Sequence, residues 1–160
     1  EELEEQFDIV YTSYGALCWL PDVPRWAAVA SHFLKPSGIL YMVEFHPFPC
    51  IFDASQGLNG LSIRYPYFTP EEPIRTEEDG SYAEPEAPLA NRVTFSWSHG
   101  LGEIVSALIA AGLRIEFLHE FPFTVERFYE LLEEVAPREF RLKEHAGSMP
   151  FLYSLRARKD

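Results

Sequence analysis

Two apolar runs joined by a segment with helical periodicity place the strongest limit on how this chain folds. The runs cover residues 7–11 and 39–45 and contain few polar side chains. Strands that are apolar on both faces are typical of parallel sheets, and a parallel pair needs a long crossover connection. Asp22 can cap a helix in this connection, where apolar side chains recur at helical spacing at Trp26, Val29, Ala30, Phe33 and Leu34. The sequence therefore predicts a right-handed βαβ unit.

The middle of the chain, residues 47–97, differs in composition from the rest. It is rich in Pro, Gly, Tyr and Glu, and its aromatic content is too high for a disordered segment. Asp79-Gly80 is a strong turn signal between two short runs, residues 61–65 and 92–97. We therefore expect an insertion of short antiparallel strands and loops rather than a linker.

Regular structure is predicted to resume after this insertion. Ser98 can cap a helix that stops at Ala111-Gly112, and residues 113–117 alternate between apolar and charged, as in a strand at a sheet edge. A further helix is predicted over residues 125–135, with inward-facing side chains at Val125, Phe128, Leu132 and Val135. A last strand is predicted over residues 151–157.

Composition limits the classes of partner. The chain has 160 residues, about one domain, and 13 basic against 25 acidic residues give a net charge of −12. This balance argues against nucleic acid and anionic membrane surfaces, which both need local positive charge. No apolar run approaches the length of about 20 residues that a membrane span requires, so we expect a cytoplasmic protein. Cys18 and Cys50 lack the spacing of metal ligands, and no metal site is expected.

Three segments together resemble the class I S-adenosylmethionine-dependent methyltransferases. They are Phe7-Asp8-Ile9-Val10, then Leu34-Lys35-Pro36-Ser37-Gly38 before a strand, and the helix and strand from His99 to Phe117. The resemblance implies an α/β fold, namely the C-terminal half of a Rossmann-like sheet with strand order 4-5-7-6 and an antiparallel last strand. Residues 1–160 would then form a single partial domain, with an inserted substrate lid over residues 47–97.

The resemblance also implies a cofactor, S-adenosylmethionine in the intact enzyme. In this family the glycine-rich loop and the ribose-binding acidic residue precede the fourth strand, and here the chain begins six residues before that strand. We therefore expect the chain alone to be inactive. In the family the turn after the fourth strand touches the methionine part of the cofactor, which implies contacts from Thr12, Ser13, Tyr14, Gly15 and Ala16. An ordinary tight turn is the alternative interpretation.

Candidate residues for the substrate lie near the same edge of the predicted sheet. Glu44 and His46 stand at the C-terminal end of the second strand, where open α/β sheets bind ligands, and His99 opens the helix after the insertion. Each is a candidate to orient or deprotonate the acceptor, and a structural hydrogen bond is the alternative role of both histidines. The candidate substrate-binding residues are aromatic: Trp19, Tyr65, Tyr67 and Trp97. Core packing is the alternative role of Trp19.

Two functions are compatible with these features. The first is transfer of a methyl group to a small-molecule acceptor. The second is a non-enzymatic association module that dimerises through its exposed first strand. A homo-oligomer is expected because Asp8 is the only charge in residues 7–12. A fragment of a nicotinamide-dependent oxidoreductase is less consistent with Lys35-Pro36-Ser37-Gly38 and with an antiparallel last strand.

Overall fold

The computed structural model of the chain describes residues 5–53, 62–77 and 91–160. The helices in these ranges are α1 (Val23–Phe33) and α2 (Leu101–Ala110). Single turns of 3-10 helix follow the first two strands, at Leu17–Trp19 and Pro49–Ile51. The strands are β1 (Phe7–Thr12), β2 (Leu34–Phe45), β3 (Ile74–Glu77), β4 (Val93–Ser96), β5 (Leu113–Phe121), β6 (Leu132–Ala136), β7 (Glu139–Leu142) and β8 (Leu152–Lys159).

Four strands form the main sheet, in the order β1-β2-β8-β5. β1 and β2 are parallel, with Ile9 opposite Ile39 and Thr12 opposite Met42. β8 runs antiparallel to both of its neighbours, β2 and β5. Because α1 connects the parallel pair β1 and β2 and packs against both strands, the predicted βαβ unit is confirmed.

Local sequence explains where α1 begins. The side chain of Asp22 accepts a hydrogen bond from the backbone N–H of Arg25 at 2.8 Å, which caps the first turn. Pro24 occupies the first turn, where a missing N–H costs nothing. Val23 and Ala27 are fully buried, so this side of the helix faces the sheet.

Both helices cover the same face of the main sheet and pack against each other. Residues of β2 and β8 that point to this face alternate along each strand, as the pleat requires. The buried side chains on it are Leu40, Met42, Leu155 and Ala157, and they share one core cluster with Ile104 and Leu108 of α2. Their burial provides the main apolar core, at about 25 cal/mol for each Å² removed from water.

The opposite face of the main sheet carries a row of rings. Tyr11 stacks on Tyr41 with the ring centroids 6.1 Å apart, and Tyr41 meets the edge of Phe117 at 6.4 Å. The imidazole of His119 stacks on Phe117 at 4.4 Å. These contacts run across the sheet from β1 to β5, and they stabilise the strand pairing beyond the backbone hydrogen bonds.

The helix predicted over residues 125–135 is wrong. β6 and β7 form a hairpin there, in which Leu132 pairs with Leu142, and Val135 is exposed. Arg138 adopts a φ of 58° between the two strands, a conformation of tight turns rather than of helices. Leu132 packs with Tyr129 and Phe151 in a second buried cluster. Tertiary packing therefore overrides the local helical periodicity.

Two smaller expectations are also corrected. Ser98 does not cap α2. The N-cap residue is Gly100, which has no side chain that could accept a hydrogen bond from the first turn. Of the run at residues 61–65, Ile63 forms only an isolated bridge with Phe52. The described partner of β4 is instead β3, with Ile74 opposite Ser96. The predicted turn at Asp79-Gly80 lies outside the described residues.

Within the described ranges, neither helix is long and apolar enough to cross a lipid bilayer.

Candidate functional site

A carboxylate from β2 holds the turn that follows β1. Glu44 accepts hydrogen bonds from the backbone N–H groups of Gly15, Ala16 at 2.9 Å and Leu17 at 3.4 Å. It also accepts one from the N–H of Phe45 at 2.8 Å. Gly15 has a φ of 71°, in the left-handed region that favours glycine. Glu44 is 5% exposed. Its oxygens are engaged by backbone donors, so its contacts are those of a residue that fixes the turn.

A cavity of about 260 Å³ opens beside this turn, at the C-terminal ends of β1 and β2. Gly15 and Glu44 form part of its wall, and the pair β3 and β4 contributes Ile74, Thr76 and Ser96. Its aromatic lining consists of Phe45, Tyr65, Trp97 and Tyr153. The cavity is slightly below the usual range of about 300–1,000 Å³ for ligand pockets, which suits a compact and largely apolar molecule.

The β3–β4 pair is fastened to the turn after β1. The backbone N–H of Trp97, directly after β4, donates to the carbonyl oxygen of Cys18 at 2.8 Å. Thr76 and Thr94 join the two strands through a hydrogen bond of 2.6 Å between their hydroxyl groups. The cover of the cavity is therefore anchored where it meets the main sheet.

His99 borders the cavity, but both of its ring nitrogens have protein partners. Nε2 donates to the carbonyl oxygen of Leu20 at 2.7 Å, because a carbonyl can only accept. Nδ1 lies 3.0 Å from the hydroxyl oxygen of Thr69, which also bonds Glu103 in the first turn of α2. Since His99 is 5% exposed, these contacts tie the start of α2 to the segment before α1.

His46 lies outside the lining of this cavity. Its Nδ1 accepts a hydrogen bond from the N–H of Phe48 at 3.1 Å, so Nε2 carries the proton and donates to Glu120 at 2.9 Å. Burial lowers the pKa of His46, and the attraction of Glu120 opposes this shift. The ring borders a second cavity, next to Tyr129. The two candidate histidines are therefore not brought together in one site.

Of the residues predicted to touch the cofactor, one lines the first cavity and the other four are absent from its described lining. Gly15 belongs to the lining, whereas Thr12 is buried next to it in β1. Ser13 and Tyr14 are exposed, and the ring of Tyr14 rests 5.6 Å from that of Phe45. Ala16 donates to Glu44, as described above. The turn thus presents an exposed surface over Ser13 and Tyr14 and an inner surface toward the cavity.

The four aromatic residues predicted to bind substrate separate into two pairs. Tyr65 and Trp97 line the cavity, whereas Trp19 and Tyr67 are absent from its described lining. Trp19 is 54% exposed. The hydroxyl of Tyr67 accepts the N–H of Leu101 at 3.2 Å, so Tyr67 takes over the capping role that was expected of Ser98.

Tyr67 also explains the glycine before α2. A Cβ at Gly100 would lie 2.9 Å from the ring of Tyr67, closer than ordinary contact allows. Gly100 thus lets the ring of Tyr67 approach the start of the helix closely.

Cys18, Cys50 and Tyr153 are among the lining residues that sequence reasoning missed. Burial raises the pKa of both thiols to about 11, so both are neutral near pH 7. Cys50 is exposed as a residue, and its Sγ lies 3.6 Å from the carbonyl oxygen of His46. Tyr153 stands opposite Glu44 in the register between β2 and β8. This strand register places Tyr153 at the site, and the amino-acid composition does not reveal the register.

No group of three or more His, Cys, Asp or Glu side chains within the described ranges is arranged to hold a metal ion.

Comparisons with known proteins give structural matches only. No protein-family profile and no curated protein sequence matches the chain. A protein of Listeria monocytogenes assigned to the S-adenosylmethionine-dependent methyltransferases matches with a TM-score of 0.58 and 13% identity, over 98% of this chain and 62% of that one. A Mesorhizobium loti methyltransferase of this type matches with a TM-score of 0.54 and 21% identity, over 97% and 62%.

A third similar structure is the glycopeptide N-methyltransferase MtfA in complex with S-adenosylmethionine. It has a TM-score of 0.51 and 12% identity, over 100% of this chain and 57% of that one. The chain therefore spans about three fifths of the length of the structures that it matches. Over that length, it has the mixed α/β fold of S-adenosylmethionine-dependent methyltransferases.

Proposed function

We propose that this chain forms the acceptor-binding part of an S-adenosylmethionine-dependent methyltransferase whose acceptor is a small molecule. The observation that carries the proposal is the cavity at the C-terminal ends of β1 and β2, the edge where open α/β sheets bind ligands. We further propose that β1, β2, β8 and β5 correspond to strands 4, 5, 7 and 6 of a complete methyltransferase sheet. Residues 47–97 would then be an insertion over the acceptor.

The charge of the cavity supports S-adenosylmethionine as the cofactor. Glu44 contributes a carboxylate to the wall, and no lysine or arginine is part of the described lining. A negatively charged wall suits the sulfonium cation. When bound, the cofactor supplies a methyl group that is already activated, so the protein has mainly to align the acceptor and exclude water.

The predicted site residues receive separate roles in this proposal. The turn from Thr12 to Ala16 contacts the methionine end of the cofactor. Tyr65 and Trp97 enclose the acceptor. Glu44 and His99 hold the wall in place, because their polar atoms are already engaged by protein groups. The proposal assigns no general base among the described lining residues.

The experiment that tests the proposed function is a calorimetric titration of S-adenosylmethionine into the full-length protein that contains this chain. We expect micromolar binding, weakened at least tenfold by Gly15→Val. A side chain at a φ of 71° is strained, and its Cβ would sit 3.6 Å from the ring of Phe45, within the space beside the turn. Gly102→Ala is the matched control, because an added Cβ there meets nothing within 4 Å.

The outcomes of this titration are distinct. Absence of binding by the full-length protein refutes the proposed function. Equal affinities of the Gly15→Val variant and the parent, with both proteins folded, remove the turn from the cofactor site. We expect the 160-residue chain by itself to bind weakly, and micromolar binding by this chain would contradict that expectation.

We also propose that the 160-residue chain by itself associates with a second copy along β1. Ile9 is 60% exposed and Tyr11 57% exposed at this edge of the sheet, where a strand has unpaired backbone groups. Light scattering over a concentration series should show a dimer, and Ile9→Lys should shift it toward the monomer. A constant monomeric mass at high micromolar concentration would refute association.

A further inference from the structure

Tyr153 has a buried hydroxyl group without a partner. The side chain is 0% exposed, and its hydroxyl makes no hydrogen bond to any group of the described chain. Burying an unpaired hydroxyl costs free energy, so a position of this kind needs an explanation. Tyr153 lines the cavity beside the turn after β1, which places the unpaired group at the wall of the candidate site.

A second buried tyrosine provides the contrast. Tyr129 is 8% exposed, and its hydroxyl donates to the carbonyl oxygen of Pro49 at 2.6 Å. It borders the other cavity and is absent from the described lining of the first. The chain thus satisfies one buried phenol internally and leaves the other without a protein partner.

Several polar groups of the cavity wall limit what a ligand can be. Burial and the nearby Glu44 raise the pKa of Tyr153, which therefore stays protonated and can donate. Cys18 and Cys50 are neutral thiols, and both nitrogens of His99 are occupied. Without a lysine or arginine in the described lining, a carboxylate or phosphate on the ligand would find no counter-charge and would face Glu44.

We propose that this cavity binds a neutral, largely aromatic molecule that carries one hydrogen-bond-accepting group, and that the Tyr153 hydroxyl donates to that group. Tyr153 is then a specificity-determining residue. A site with a buried donor rejects analogues that lack the acceptor, because they leave the donor unpaired. The rings of Phe45, Tyr65 and Trp97 supply the apolar walls.

The enclosure of Tyr153 adds a requirement on the cavity wall. Since the side chain has no exposed surface, a ligand reaches the hydroxyl only when the wall around it shifts. Ile74, Thr76 and Ser96 of the β3–β4 pair line the same cavity as Tyr153. Binding should therefore change the environment of β3 and β4 as well as that of β8.

The inference rests on the proposed function in that it takes this cavity as the acceptor site, but its test does not require methyl transfer. Binding of three probes of similar size is measured by two-dimensional NMR on the labelled protein: acetophenone, ethylbenzene and benzoate. The variants are Tyr153→Phe and the control Tyr129→Phe. We expect the parent protein to bind acetophenone at least fivefold tighter than ethylbenzene and to bind benzoate weakest.

Tyr153→Phe should abolish the preference for acetophenone over ethylbenzene, whereas Tyr129→Phe should retain it. The melting temperatures of the two variants distinguish the loss of a ligand contact from a loss of protein stability. Tyr129→Phe leaves the Pro49 carbonyl oxygen without its hydrogen-bond donor and should lower Tm by about 2–4 °C. Tyr153→Phe removes a hydroxyl that has no partner and should not lower Tm.

Three binding results would overturn the inference. They are a preference for acetophenone that survives Tyr153→Phe, tightest binding by benzoate, and the absence of shifts around the cavity with every probe. A fall in Tm for Tyr153→Phe equal to that of Tyr129→Phe would likewise show that the hydroxyl has a structural partner. Failure of the proposed function is distinguishable, because it would abolish S-adenosylmethionine binding and leave the probe preference unchanged.

Discussion

Two neighbouring regions of this molecule treat buried polar groups in different ways. In the cavity region, formed by the turn after β1, Glu44 and Tyr153, one carboxylate accepts four backbone N–H groups and one phenol has no described partner. In the hairpin region, residues 124–150, the buried phenol of Tyr129 is hydrogen-bonded to Pro49. The buried phenol of the hairpin region is therefore hydrogen-bonded within the protein, whereas the buried phenol of the cavity region is left to donate to a ligand.

The largest expected effect lies in the cavity region, at Glu44. In Glu44→Gln the amide NH2 cannot accept, so some of the N–H groups of Gly15, Ala16, Leu17 and Phe45 lose their partner. Each buried donor that loses its acceptor costs about 1–3 kcal/mol, and we expect a loss of about 3 kcal/mol in the free energy of unfolding. Urea denaturation measures this loss.

The hairpin region provides the control for this substitution. Glu133 is exposed on β6, so Glu133→Gln should change the free energy of unfolding by less than about 0.5 kcal/mol. If both variants lose the same stability, the carboxylate of Glu44 does not hold the turn, and the comparison between the regions fails. Hydrogen exchange at Ala16 and Leu17 should increase selectively in Glu44→Gln.

The cavity region could be anticipated in part because its strands are visible in the sequence. Residues 7–11 and 39–45 are apolar except for Asp8 and Glu44, a pattern typical of strands in a parallel sheet. In the structure β1 is nevertheless largely exposed, at Ile9 and Tyr11 among others. Asp22 and Pro24 then locate the helix between the runs. Glu44 was identified by its place at a strand end, but its bonds to the turn cross to a neighbouring strand and depend on the fold.

The hairpin region could not be anticipated from local pattern. Residues 125–135 carry apolar side chains at helical spacing, and a single sequence holds no local signal that Tyr129 will reach Pro49, 80 positions away. Tyr153 presents the same difficulty. The final strand was predicted near its observed place, yet the pairing of Tyr153 with Glu44 depends on an antiparallel register set by tertiary structure.

The smallest expected effect belongs to His46, which lies between the two regions. Its ring meets that of Tyr153 edge-on at 6.1 Å, and it borders the second cavity beside Tyr129. Burial lowers the pKa of His46 in the folded protein, so between that pKa and the unfolded value of about 6.5 the unfolded chain binds more protons. This contribution to stability is present above about pH 6.5 and is lost as the pH falls through the folded pKa. Tm should therefore fall between pH 7.5 and 5.5, and it should fall less in His46→Gln.

Glu120 opposes the effect of burial on the pKa of His46. Its charge and its hydrogen bond to Nε2 raise the pKa of His46, so Glu120→Gln should lower that pKa further and make Tm fall more steeply toward pH 5.5. His32→Gln, at an exposed position of α1, should reproduce the pH dependence of the parent. If His46→Gln also reproduces it, the acid sensitivity arises elsewhere in the chain.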